Sequence, residues 1–370
     1  MPSIPWPLTG RPDLSPAGGR IDAIDLARGT AVALMILSHG VKGLIDFEAF
    51  PDWGITLHAL TKFSSTLFIL VFGIALGVAF LPYARSPDWP ARRLKLFISG
   101  VRVFFWYKML TIIELLQVRE PEGILDALLY QEFPSFVEIL GFYAIALLWM
   151  PFFLQLWARM PLWLRLALPV LTAWVAARLP VWVDFSAMPT LQALLVEHEQ
   201  YYTWGQISRA PIVFCGLLLG ELIRYSTVHW WPQWRNGLAL VVAGACGFLV
   251  FLGLALPEMG STMEALAHND GKHPPAFLFM LYSSAGAALI LGLALLGGRP
   301  LSRLLAPIAV IGGNALSAFV FHITVIFIGF RFLLGYWQSI DYTQALVLAL
   351  VLIPATAAWI KTNQWIRAHS

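Results

Sequence analysis

Charge is the scarcest commodity in this chain of 370 residues. Asp, Glu, Lys and Arg together make up 12% of it, against about 25% in an ordinary globular domain. A soluble enzyme surface needs more, so that class is excluded. Neither sign dominates: 24 Lys+Arg against 21 Asp+Glu leave a formal net charge of +3, too little for a nucleic-acid-binding footprint. Only two cysteines occur, Cys215 and Cys246, both inside long apolar runs, which reads as packed thiols rather than a disulfide. Residues 1–20 lack an apolar core and are rich in Pro and Gly, so no cleavable signal peptide is expected there. What the chain has in abundance is apolar surface: 59% of residues are hydrophobic and the mean hydropathy is +0.73. That excludes disorder and leaves a polytopic membrane protein.

A bilayer-spanning helix needs about 20 predominantly apolar residues. Ten windows qualify: 21–43, 56–80, 97–116, 134–156, 161–181, 206–226, 237–257, 275–297, 306–333 and 343–361. The expected fold class is all-α, with ten membrane helices, a short segment 1–20 and one membrane domain over 21–370. An even number of crossings puts both termini on one side. Fourteen Arg and Lys fall in connections on the terminal side, against three on the other (Arg119, Arg178, Lys272). By the positive-inside rule both termini are then cytoplasmic, in the cytoplasmic (inner) membrane of a cell. Aromatic residues recur at the expected helix ends, as at Trp53, Tyr83, Trp89, Trp163, Trp234 and Trp337. In the connection 117–133, the half-length apolar stretch from Ile124 to Tyr130 reads as an interfacial or re-entrant piece. No internal repeat supports an inverted-repeat transporter.

Charges inside apolar windows are costly and therefore informative. Such residues are expected to face the bundle interior or water, and to have partners. They are Arg28, Lys42, Lys62, Arg102, Lys108, Arg209 and Arg331, with Asp25, Glu114 and Glu138 among the acids. Lys42, Lys62 and Arg331 lie near window ends, where snorkelling into the interface is the expectation. On the first helix, the eleven-residue step from Arg28 to His39 turns about 1100° and rises about 16 Å, so the two share a face. Asp25, three residues before Arg28, can hold the guanidinium. The pair either fixes helix packing or serves a reaction.

His39 can act as a general base, as a nucleophile carrying an acyl group, or as a metal ligand. No metal is expected, because none of the eight histidines forms a paired H-x-x-x-H or H-E-x-x-H motif. Glu114 and Glu138, in the same half of the bundle, can orient an imidazolium or hold a sugar hydroxyl, or else pair with Lys108 and neighbouring helices. Arg209 can bind an anionic substrate group or snorkel. Asn314 follows a Gly pair that breaks the ninth window, and His322 lies eight residues on; interhelical hydrogen bonding suits both. Arg92, Arg93 and Lys95 can attract the phosphates of a nucleotide, although the positive-inside rule alone accounts for them.

The first helix resembles the opening helix of the transmembrane acyltransferase superfamily, which includes acyltransferase-3 proteins and relatives of heparan-α-glucosaminide N-acetyltransferase. That family has an arginine, ten intervening residues and a histidine, and Arg28 and His39 fit it. The run from Thr66 to Gly73 looks like the family's second helix, with Phe72 in place of Ser. Gly271-Lys272-His273-Pro274-Pro275 is similar to a K-Y-P-P motif before an apolar helix, with His273 in place of Tyr. The run from Ile311 to His322 resembles G-x-N-S-L-x-x-Y-x-x-H, with Ala315 and Phe319 as departures.

The resemblance implies an integral-membrane acyltransferase that takes an acyl group, acetyl or similar, from cytosolic acyl-CoA. It would pass the group to a hydroxyl or amine of an extracytoplasmic glycan, with acyl-CoA as co-substrate and no tightly bound cofactor. His39 would be the catalytic histidine, with Arg28 and Asp25 as companions. Glu114, Glu138, Arg209, Asn314, His322 and Lys272 would contact the acceptor, and Arg92, Arg93 and Lys95 the CoA phosphates. Close relatives often carry Asp before the histidine. Ser38 stands here, which moves any orienting carboxylate to another helix, to Glu114 or Glu138. The rival reading is a transporter or flippase for a lipid-linked sugar or small anion, with Arg28, Arg102, Lys108 and Arg209 along its path.

Overall fold

The computed structural model describes residues 21–46, 50–116, 118–229 and 232–369. The segment 1–20, expected to precede the membrane domain, lies outside them. Ten helices among the described residues are long and apolar enough to cross a membrane: Asp22–Lys42, Asp52–Tyr83, Trp89–Leu115, Glu138–Arg159, Leu162–Trp182, Gln206–Val228, Gln233–His268, Phe277–Leu304, Ala315–Leu333 and Tyr342–His369. They are called here the first to tenth spans, and the chain is a multi-pass membrane protein. Helices are what an apolar solvent demands, since each backbone N–H and C=O must find its partner within its own segment. The face at which the first span begins is the near face, and the other the far face.

The spans track the ten windows, with three departures. The second bends at Thr61 and Lys62, between helices Asp52–Leu60 and Phe63–Ala79. The seventh continues through a short turn into the helix Met259–His268, so much of the 258–274 connection is helical. The ninth window divides at Asn314 into Ala306–Gly313 and the ninth span, which ends as a π-helix over Val325–Leu333. The interfacial or re-entrant piece expected at 124–130 is an eight-residue helix, Pro121–Leu128.

The first span is central, packed against the second, eighth and tenth spans and the helix Ala306–Gly313. Gly29 and Gly312 allow that last approach, because a Cβ on either would collide with backbone of the other helix. The second and sixth spans cross at Gly73 and Gly77 against Gly216 and Gly220, two small-xxx-small pairs whose backbones touch. The fifth span is peripheral: of its residues only Arg165 is buried, tied to Glu221 of the sixth span at 2.8 Å. Cys215 and Cys246 are free thiols, but both are exposed on the outside of the bundle and not packed as the sequence suggests.

Candidate active site

His39 stands one turn from the far end of the first span. Its Nδ1 lies 3.1 Å from Nε2 of His322 on the ninth span, with the two rings stacked at 5.4 Å. The other nitrogen of His322, Nδ1, lies 2.9 Å from the Ala318 carbonyl oxygen, which can only accept. The network therefore assigns the protons. His322 Nδ1–H donates to Ala318, its Nε2 accepts, and His39 Nδ1–H donates to it. His39 is left with a bare Nε2, the nitrogen a base needs. The orienting partner expected from Glu114 or Glu138 is thus a second histidine.

Glu114 has a different task. Its carboxylate accepts from the backbone N–H groups of Ser135 (2.6 Å) and Phe136 (3.1 and 3.2 Å). That pins the strand of chain entering the fourth span and sets the Phe136 ring edge-on to His39 at 5.6 Å. Lys108 does not pair with it. The Lys108 ammonium donates to the carbonyls of Ala127 and Leu128 and covers the C-terminal end of the helix Pro121–Leu128.

Two cavities lie against the first span. The smaller, about 30 Å³, is polar and is lined by His39 and Ser38, by Lys62, Ser64 and Ser65 of the second span, and by Glu138, Asn269 and Lys272. The larger, about 270 Å³, lies toward the near face and is lined by Arg28, Phe68, Phe72, Leu140, Tyr143 and Phe319. Phe319 borders the larger cavity and stands edge-on to His39 at 5.9 Å and to His322 at 4.9 Å. The shared helical face of Arg28 and His39 thus serves one cavity each. Arg28 is fixed by Asp25 (3.4 Å) and by the Gly312 carbonyl (3.3 Å).

At the far face a clasp of charges closes over the site. Lys272 donates to Glu138 (3.1 Å) and to the Tyr202 hydroxyl (2.8 Å). Arg209 forks onto both oxygens of Glu197 at 2.6 and 3.0 Å and also donates to the Lys272 carbonyl. His273 reaches Glu197 at 2.8 Å. Burial pushes the Glu197 carboxyl up, but the Arg209 guanidinium and His273 outweigh it and hold the group at about 2. Burial pushes the Tyr202 hydroxyl up to about 12. Against burial, Tyr202 and Glu138 raise Lys272 above the ordinary lysine range. Arg209 is consumed by this clasp and presents no free fork to a substrate.

The remaining candidates are placed elsewhere. Asn314 donates to the Val310 carbonyl at 2.9 Å, accepts from Gln364, and lines neither cavity. Arg92, Arg93 and Lys95 stand at the near-face end of the third span, with Arg92 over Tyr83 and Arg93 over Phe152. Arg102 stays on the exposed face of that span. Lys42, Lys62 and Arg331, expected to snorkel, are instead 6%, 4% and 3% exposed. The far-face connections fold back over them, so a helix end here is not a route to water. Arg331 lies flat on the Trp337 ring at 3.4 Å. Among the described residues no group of three or more His, Cys, Asp or Glu side chains could hold a metal ion.

Two features escaped the sequence reading: Lys62, marked there only as a charge near a window end, lines the His39 cavity, and Tyr202 and Glu197 belong to the clasp around Lys272, which lines it too.

A family model described as heparan-α-glucosaminide N-acetyltransferase, catalytic, matches residues 20–254. The match includes His39, Lys62, Glu114, Glu138, Glu197 and Arg209, and stops before Lys272 and His322. No curated protein matches the chain, and no solved structure does.

Proposed function

From the premise that the chain belongs to the heparan-α-glucosaminide N-acetyltransferase catalytic family, a family of membrane acetyltransferases, we propose that it transfers an acetyl or similar acyl group from acyl-CoA to a glycan hydroxyl or amine across the bundle. The observation that carries this reading is His39, with a bare Nε2, lining a polar cavity together with Lys272 of the far-face clasp, while Phe319, edge-on to its ring, borders a second, Arg28-lined cavity.

In this reading the near face is cytoplasmic and the membrane is the cytoplasmic membrane. The thioester arm occupies the larger cavity, and Arg28 supplies positive charge along its path. Arg92, Arg93 and Lys95 stand on the face that the CoA phosphates approach. The acceptor presents its hydroxyl or amine in the smaller cavity. His39 Nε2 takes the acceptor's proton as its oxygen or nitrogen attacks the thioester carbonyl. The new C–O or C–N bond forms, the C–S bond breaks, and the imidazolium returns the proton to the departing thiolate. His322 holds the ring so that the proton arrives at Nε2, and shares the developing positive charge by accepting from Nδ1.

The test uses purified protein in detergent, radiolabelled acetyl-CoA and a panel of sugars. Transfer is expected for the wild type, with a loss of at least about 10²-fold in His39→Gln, which can take no proton at neutral pH. CoA binding should survive the substitution. Substantial transfer by the Gln variant would remove His39 from catalysis. A stoichiometric burst of acyl-enzyme without acceptor would replace the base by an acyl-imidazole route.

A further inference from the structure

The larger cavity, about 270 Å³, offers a guest little to hydrogen-bond. Its walls include Phe68 and Phe72 of the second span, Val103 of the third, Leu140 of the fourth, and Leu316 and Phe319 of the ninth. Tyr143 is there too, but its hydroxyl donates to the Phe68 carbonyl at 2.7 Å, and its ring packs against those of Phe68 and Phe72 at 5.1 and 4.6 Å. Among the described residues that line the space, Arg28 alone is charged, and it is held by Asp25 and the Gly312 carbonyl. Water gains little here, since each molecule needs about two to four polar partners. An apolar cavity of about 150 Å³ takes a benzene ring, and this one is larger. Three of the lining residues, Phe72, Ala315 and Phe319, stand where the motifs that the sequence resembles have Ser, Ser and Tyr. Each exchange removes a hydroxyl, and the three come from two spans to line one space.

We propose that the acyl group of the donor is a hydrocarbon chain longer than acetyl, and that this cavity houses it. This rests on the acyltransferase reading and adds to it the class of acyl group. An acetyl group brings one methyl, which leaves most of these walls without a partner. Further methylenes meet Phe68, Phe72, Leu140 and Leu316 in place of water. The amides of the CoA arm stay at the Arg28 end, since an amide buried without a hydrogen bond is costly. Phe319, which borders the cavity and stands edge-on to His39 at 5.9 Å, marks the end at which the thioester carbonyl lies. The transfer is that of a shorter donor: the acceptor oxygen or nitrogen bonds to the acyl carbon, its proton passes to His39 Nε2, and the C–S bond breaks as the departing thiolate takes that proton.

The experiment titrates acetyl-CoA, butyryl-CoA and hexanoyl-CoA into detergent-purified protein, with no acceptor present. Each buried methylene strengthens binding by roughly fourfold at most, so hexanoyl-CoA should bind about tenfold or more tightly than acetyl-CoA, with butyryl-CoA between them. Two variants act on the walls in different ways. Ala75→Phe fills the cavity, and Ala315→Ser with Phe319→Tyr returns two hydroxyls to it. Each should bring the ratio of hexanoyl-CoA to acetyl-CoA affinity to within about threefold. A cooperative melting transition shows which variants fold, and either one suffices. Equal affinity of the wild type for the three thioesters overturns the proposal. A chain-length preference retained in full by a folded variant overturns it as well, because the chain would then be partitioning into the micelle. Acyl transfer to the sugar panel is scored separately. A hexanoyl preference in binding with no transfer from any donor would sink the acyltransferase reading and leave the chain site standing. Transfer from acetyl-CoA with kcat/KM at or above that of hexanoyl-CoA would sink the chain proposal and leave the acyltransferase.

Discussion

The Ala318 carbonyl, 2.9 Å from Nδ1 of His322, decides the tautomer of His39, a residue it does not touch. Because a carbonyl cannot donate, the proton positions along the pair follow without further choice. His322→Phe removes the acceptor and leaves His39 free to carry its proton on either nitrogen. The expected result is a fall in kcat of about 10²-fold or more, with acyl-CoA affinity unchanged. Unaltered kcat in a folded His322→Phe protein would show that His39 orients itself.

Arg28→Lys tests the other end of the same helix. The guanidinium meets both Asp25 and the Gly312 carbonyl through Nη1, a position that the shorter lysine side chain does not reach with the same geometry. We expect kcat/KM for acyl-CoA to drop about tenfold or more while the melting temperature changes little. Normal turnover would reduce Arg28 to a point charge.

The Glu197 clasp makes stability depend on acidity. Its carboxyl sits at about 2 in the folded protein, against about 4.3 in an unfolded chain, so the folded state binds the proton more weakly. Its contribution is full above the unfolded value and is lost as pH falls from there toward 2. Glu197→Gln should cost roughly 3 kcal/mol at pH 7, in line with breaking a buried ion pair. Melting in detergent should show the same deficit at pH 7 and pH 5, and a smaller one at pH 3. A deficit that does not change with pH would mean that Glu197 acts by shape alone.

Gly216→Val tests the crossing of the second and sixth spans. The added side chain runs into Gly73 and the Leu70 carbonyl, and overpacking of this kind costs roughly 1–3 kcal/mol. The melting temperature should fall, while Cys215→Val, one residue away and exposed, leaves it unchanged.

The spans were legible because bilayer solvation writes them into composition, about 20 apolar residues at a time. Arg28 and His39 were legible because both lie on one helix, where spacing fixes geometry. His39 and His322 are 283 residues apart, and no periodicity links them. Lys42 and Lys62 were misread for a related reason. Nearness to a helix end implies water only if the connections stay out of the way, and here Lys272, held by the Tyr202 hydroxyl, lines the cavity. Arg209 and Glu197, only twelve residues apart, fell on either side of a span boundary, and a turn rather than a helix brings them together.

Glu114 grips Ser135 and Phe136 by their main chain, so the grip is indifferent to which side chains stand there. Position 135 is therefore free to vary widely, provided that it keeps an amide hydrogen. Proline, which has none, is the one replacement that should loosen the aromatic wall beside His39. A swap such as Ser135→Ala should be silent where Ser135→Pro is crippling, a contrast that the chemical similarity of the replacement would never suggest.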